Sequence, residues 1–226
     1  MIVNIHFKIT AENAKSILIG LVLFEICLIA IYLTGNFIGH PTIFFNLDGE
    51  ANLPAWFSSM QFLLIGQIFY LKSQQPNPKN LPSHFFLILI AAGFIFLSVD
   101  EAAQVHETLS GVLKRSTSMP RFKDGNGVWI LPYVLIGSFA FYKLYSEVIV
   151  MFSRFRKESI IMASGMIMIA FGAVALEIIS YQFLRSGSRE NQFIIEVAFE
   201  EFFEMAGASL VLYGALLFLI KDAKDS

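Results

Sequence analysis

Charge is scarce in this chain, and the shortage decides its environment. Only 15% of the 226 residues are Asp, Glu, Lys or Arg, where a soluble globular chain carries about 25%. The net charge of −2 offers no electrostatic footprint for nucleic acid, so that partner is excluded. Cysteine is reduced to Cys27, inside an apolar run. No intramolecular disulfide can form, which excludes a disulfide-stapled scaffold. Only four histidines occur, and His40 and His106 alone sit where an outer polar layer would fall. A three-histidine zinc site therefore lacks donors. G-x-S-x-G, Walker, H-E-x-x-H, Rossmann and EF-hand patterns are all absent.

What is abundant is hydrocarbon. The chain is 56% hydrophobic with 24 phenylalanines, and its mean hydropathy is +0.64. A membrane-crossing helix needs about 20 mostly apolar residues. Six stretches qualify: 16–34, 54–72, 84–106, 129–150, 159–183 and 196–220. The second is the most polar, holding Ser58, Ser59, Gln61 and Gln67. No repeat or soluble module interrupts them. The expected fold is all-α: one integral membrane domain over 1–226, a polytopic bundle of six transmembrane helices in a lipid bilayer. The first stretch has no small-residue cleavage site and is long enough to span, so it is expected to stay in place.

Orientation follows from basic residues. Nine Lys/Arg, including Lys72, Arg154, Arg156, Lys157 and Lys221, fall on one side of the six spans. Six, including Lys114, Arg115, Arg185 and Arg189, fall on the other. Both termini are therefore expected in the cytoplasm, with the protein in the cell's inner (plasma) membrane. Trp56 and Trp129 then sit at outer helix ends, as an aromatic belt would place them.

Acid stands where apolar runs should be clean. FLSVDEAAQVHE covers 96–107 and IIEVAFEEFFEMAG covers 194–207. Fifteen residues, 85–99, precede Asp100, so a full third span must include Asp100 and Glu101. The clean part of the sixth span, 205–220, is 16 residues, so Glu204 and Glu201 must enter it. Glu177 lies near the outer end of the fifth. Three helices thus bring acids to one layer below the outer surface. At about 100° per residue, Glu196, Glu200 and Glu204 share one face. His106 and Glu107 point about 100° apart, so the third helix must end or bend there to direct both at one centre.

Carboxylates in hydrocarbon pair, bind cations or relay protons. A bare layer of them would repel strongly, so protons, a metal, or Arg185 and Arg189 must neutralise it. As a metal site, Asp100, Glu101, Glu200, Glu201 and Glu204 would be ligands and His106 the nitrogen donor. Oxygen-rich ligation favours Mn, Fe, Mg or Ca over zinc. Metal-dependent chemistry on a membrane or periplasmic substrate would use His106, Glu177 and Glu107 as catalytic acid–base groups. As a relay, the same acids would serve a proton- or cation-coupled transporter. As a structural or sensory cluster, they would only hydrogen-bond each other. Whether the protein is an enzyme stays open at this point.

The first outer loop, FFNLDGEANLPAWFSSM at 44–60, carries an Asp-Gly turn signal and then a helix start at Pro54. Asp48 and Glu50 either reach over the acidic layer or belong to a polar turn that caps the second helix. Ser58 and Ser59 either pack or act as nucleophiles. Glu25 stands alone in mid-span, where it either hydrogen-bonds a neighbouring helix or joins a relay. Gly165, Gly172, Gly207 and Gly214 suit close helix contact.

Three segments, LDGEANLPAWFSS, LSVDEAAQVHE and FEEFFEMAG, lie within residues 44–214. Together they resemble an uncharacterised family of bacterial multipass membrane proteins. The resemblance implies a membrane bundle and supplies no activity.

Overall fold

The computed structural model describes residues 9–49, 51–76, 82–115, 122, 127–184 and 190–221. Those residues are helical, with no strand among them. The helices are α1 (Ala11–Phe37), α2 (Leu53–Ser73), α3 (His84–Ala103), α4 (Val105–Leu113) and α5 (Ile130–Arg154). They are followed by α6 (Arg156–Leu184) and α7 (Glu190–Ile220). Local chemistry starts them. Thr10, Asn52 and Ser83 each accept a hydrogen bond from the backbone N–H three residues on, at 3.2, 3.1 and 3.2 Å. Each satisfies a donor that the helix start would leave unpaired.

α1, α3, α5, α6 and α7 are long and apolar enough to cross a membrane. The second expected stretch, 54–72, forms α2, whose 21 residues run about 31 Å, but it is not among those five. Its polarity has a structural reason. Ser58, Gln61 and Lys72 on α2 are buried by protein, so that side never meets an apolar medium. α7 starts at Glu190, earlier than the expected 196, and α6 starts at Arg156.

α7 is the axis of the bundle. α1, α2 and α6 pack against it, and α3 packs on α2. α5 packs closely only on α6 and leaves Ile136, Phe139 and Tyr142 exposed. α6 and α7 approach backbone to backbone. A methyl group on Gly207 would stand 2.7 Å from the Gly165 carbonyl oxygen and 2.9 Å from the Ile169 nitrogen. Small residues allow such an approach. Below that crossing an aromatic and aliphatic core closes one end of the bundle. Phe69 stacks on Phe94 at 6.1 Å, and Phe155 meets the Phe218 edge at 4.7 Å. At that end the Lys72 ammonium donates to the Lys221 carbonyl oxygen at 2.7 Å, and Lys221 pairs with Glu158 at 3.3 Å.

Candidate functional site: an acid-lined chamber

The opposite end of the bundle is hollow. A cavity of about 330 Å³ opens between α2, α3, α4, α5, α6 and α7. Its walls carry Asp100, Glu101, His106, Glu107, Glu177, Glu200, Glu201 and Glu204, with Asp48 from the first loop. Of the candidate acids placed on the three helices, all but Glu196 are thus brought to one cavity. Glu196 is buried on α7 but does not line it, and neither does His40. Glu50, Arg185 and Arg189 lie outside the described residues.

The α3 side depends on a break. Gln104 has φ +55°, in the left-handed region that ends helices. The chain restarts at once as α4, and Asp100 bridges the break. Its Oδ1 accepts from the His106 backbone N–H at 2.8 Å and lies 3.3 Å from His106 Nδ1. One carboxylate therefore caps the new helix and orients the imidazole. The break falls at Gln104, ahead of both His106 and Glu107, so it does not separate them: they stay consecutive on α4, and both nevertheless line the chamber. The His106 ring lies 5.2 Å from Trp129, which meets Tyr133 edge-on at 5.2 Å. With Tyr181 of α6 these rings give the chamber an aromatic side.

The α6 side depends on two wide turns. Phe171–Leu176 and Ser180–Leu184 are π-helical, with Glu177 between them. Such turns are rare and recur at functional sites. They set the Glu177 carboxyl, 9% exposed, in the chamber wall that Glu200 also lines. Gly172 makes room, since a methyl group there would stand 2.7 Å from Glu204 Cγ and 2.8 Å from the Glu200 carbonyl oxygen.

The first loop caps α2 and also brings Asp48 to the chamber wall. Asn52 caps α2, and its side-chain nitrogen donates to the carbonyl oxygens of Asn46 and Gly49. That clamp holds Leu47 and Asp48 at the mouth of the chamber. Ser59 binds α2 to α3, its hydroxyl donating to the Ser98 carbonyl oxygen at 2.8 Å. Neither Ser59 nor Ser58 lines the chamber.

The carboxyls share a chamber without converging on a point. Among the described residues no three His, Cys, Asp or Glu side chains are grouped so as to hold one metal ion. Asp48, Asp100, Glu107, Glu177 and Glu204 occupy different walls. Sequence reasoning had no signal for the aromatic side or the π-turns.

Residues 18–219 match the family described as Domain of unknown function (DUF8692). The chain belongs to that family. No curated protein and no solved structure matches it. Membership in DUF8692 agrees with the expectation of an uncharacterised family and brings no activity with it, so the chemistry must be argued from the chamber.

Proposed function

We propose that this DUF8692 member is a six-span protein of the inner membrane, termini in the cytoplasm, that takes up a cation from the outer side in exchange for protons. The observation that carries the reading is the chamber of about 330 Å³ lined by carboxyls from α3, α6 and α7. Its size falls at the lower end of small-molecule sites. Concentrated carboxyls attract cations, and carboxyls crowded on one chamber, such as Glu177 and Glu200, hold protons that a cation can displace. Spread over several walls, the acids suit a small organic ammonium or a partly hydrated ion better than a bare metal centre. The aromatic side of Trp129, Tyr133 and Tyr181 adds attraction for an ammonium. The apolar core closes the far end of the bundle, so the chamber is reached from one side.

The test is thermal stability of the full-length protein in nanodiscs. Mn²⁺, Mg²⁺, Ca²⁺ and tetramethylammonium are added separately, with and without chelator. One of them is expected to raise the melting temperature of the wild type, with loss of that response in Glu200→Gln. A rise with Mn²⁺ that chelator reverses assigns a metal, and a rise with tetramethylammonium alone assigns an organic cation. A wild type indifferent to all four would remove the proposal.

A second reading rests on the Asp100–His106 pair at 3.3 Å. With Nδ1 donating to Asp100, Nε2 is the basic nitrogen. In a reaction site His106 would be the general base and Glu177 and Glu107 proton acceptors. Turnover of a membrane or periplasmic substrate that His106→Gln abolishes would favour it over simple uptake.

A further inference from the structure

A second polar site lies deeper in the bundle and takes no part in the chamber wall. Glu25 of α1 is 0% exposed, Gln61 of α2 is 1% exposed and Ser209 of α7 is 0% exposed. The Ser209 hydroxyl donates to Glu25 Oε1 at 2.6 Å, and Gln61 Nε2 donates to the same oxygen at 3.1 Å. Gln61 Nε2 also lies 2.8 Å from Ser209 Oγ and 3.3 Å from the Met205 carbonyl oxygen. The other oxygen, Glu25 Oε2, has no partner among the described residues, and neither does Gln61 Oε1.

The pattern distinguishes the two carboxyl oxygens. Both donors point to Oε1, so a proton on Oε2 would complete the group as a neutral acid, with Gln61 Oε1 an unused acceptor in the same cluster. A charged carboxylate here would have no cation to pair with. On α2 the facing group is the Gln61 amide. On α7 the facing groups are the Ser209 hydroxyl and the Met205 carbonyl. No Lys, Arg or His is among its hydrogen-bond or ion-pair partners within the described residues. The nearest acid along α7 is Glu204, five residues before Ser209 and towards the chamber, and Lys72 stands 11 residues after Gln61 on α2.

The position also counts. Glu25 is near the middle of α1, which runs Ala11–Phe37. Gln61 precedes Phe62, a chamber-lining residue, and Met205 follows Glu204, another. The cluster and the chamber thus draw on consecutive residues of α2 and of α7. On its other side stand Ile65, Phe69, Leu212 and Phe218 of the apolar core.

We propose that Glu25 is a mid-bilayer proton site that loads and unloads through the chamber. In the loaded form the proton sits on Oε2. On unloading, the Oε2–H bond breaks and the proton leaves to water in the chamber. The carboxylate left behind keeps its two donors, Ser209 Oγ–H and Gln61 Nε2–H, which already point at it. The link to cation uptake rests on the reading given above, whereas the proton site itself stands on the Glu25 geometry alone.

Infrared difference spectroscopy on the full-length protein in nanodiscs tests it. The wild type is expected to show a protonated-carboxyl band that bleaches as pH is raised, and Glu25→Gln is expected to lack it. Ser209→Ala should move the same band to higher wavenumber, because Oε1 loses a donor, which keeps the assignment testable if Glu25→Gln fails to fold. Addition of whichever cation stabilises the wild type should bleach the band too, with about one proton fewer released from Glu25→Gln than from wild type. No cation response, with the pH response intact, would overturn the uptake reading and leave Glu25 as a proton site. A spectrum that neither substitution changes, or a band unmoved by pH up to unfolding, would overturn the proton site and make the cluster a structural hydrogen bond.

Discussion

At the scale of single residues, Asp100 illustrates how a functional wall is also structural. It caps α4 across the left-handed Gln104 and fixes His106 with one oxygen. Removing a capping side chain costs roughly 0.5–2 kcal/mol. Asp100→Ala is therefore expected to lower stability by about that much, and to speed amide exchange at His106 and Glu107 selectively. Hydrogen exchange read by mass spectrometry checks it. Uniform acceleration along α3 and α4, or none, would mean that the break is held by something other than Asp100.

The same scale shows where sequence reading reached its limit. The acids themselves were legible, because each interrupts a run that must otherwise be apolar, and counting residues from the span entry gave their common depth. Glu25 was legible as an oddity but its partners were not. Gln61 is 36 residues away in sequence and Ser209 is 184 away, and both look like ordinary small or polar residues of a membrane helix. The aromatic side was invisible for a related reason. Trp129 reads as a belt residue by position, and only the fold turns it towards His106.

At the scale of elements, the helices follow from long apolar runs bounded by Thr10, Asn52 and Ser83, all good capping types. The break at Gln104 falls two or three residues before the place expected for it, at His106 and Glu107, which instead stay together on α4. The π-turns around Glu177 could not be inferred, since residues 171–184 hold no proline or glycine pair, and their one glycine, Gly172, and one charge, Glu177, carry no signal for a wide turn. Their cause is tertiary: Gly172 lies against Glu204 and the Glu200 carbonyl. The tightest element contact is the α6–α7 crossing. Gly207→Ala places a methyl group 2.7 Å from a backbone oxygen that cannot yield. Overpacking of this kind typically costs about 1–3 kcal/mol. Unfolding of the purified variant in detergent should show a loss in that range, and Gly20→Ala, where nothing stands within 4 Å, should show none. Equal effects from both would mean that the two helices are not locked at this point.

At the scale of the whole molecule, the two ends of the bundle are chemically opposite. One end gathers Lys72, Lys221 and Glu158 in contact, and Glu147 near the end of α5 accepts from the Ser83 N–H at the start of α3, at 3.0 Å. The other end gathers the chamber acids and His106. Basic residues near span ends set orientation, and nine of the 16 Lys/Arg belong to the first end as the spans are drawn, against six at the other. Reporter fusions at Lys157 and Gln75 should therefore read cytoplasmic, and a fusion at Lys114 external. This readout tests α2 as well. Five crossings without it would move Lys114 and Lys157 to sides that six crossings do not allow with a cytoplasmic N-terminus. An external signal at Lys157 with a cytoplasmic one at Lys114 would mean five crossings if an N-terminal reporter reads cytoplasmic and an inverted bundle if it reads external, and in either case it turns the Lys114 end inward. The chamber would then face the cytoplasm, and both the uptake of an outside cation and the exchange of the Glu25 proton with the outer solution would have to be given up together.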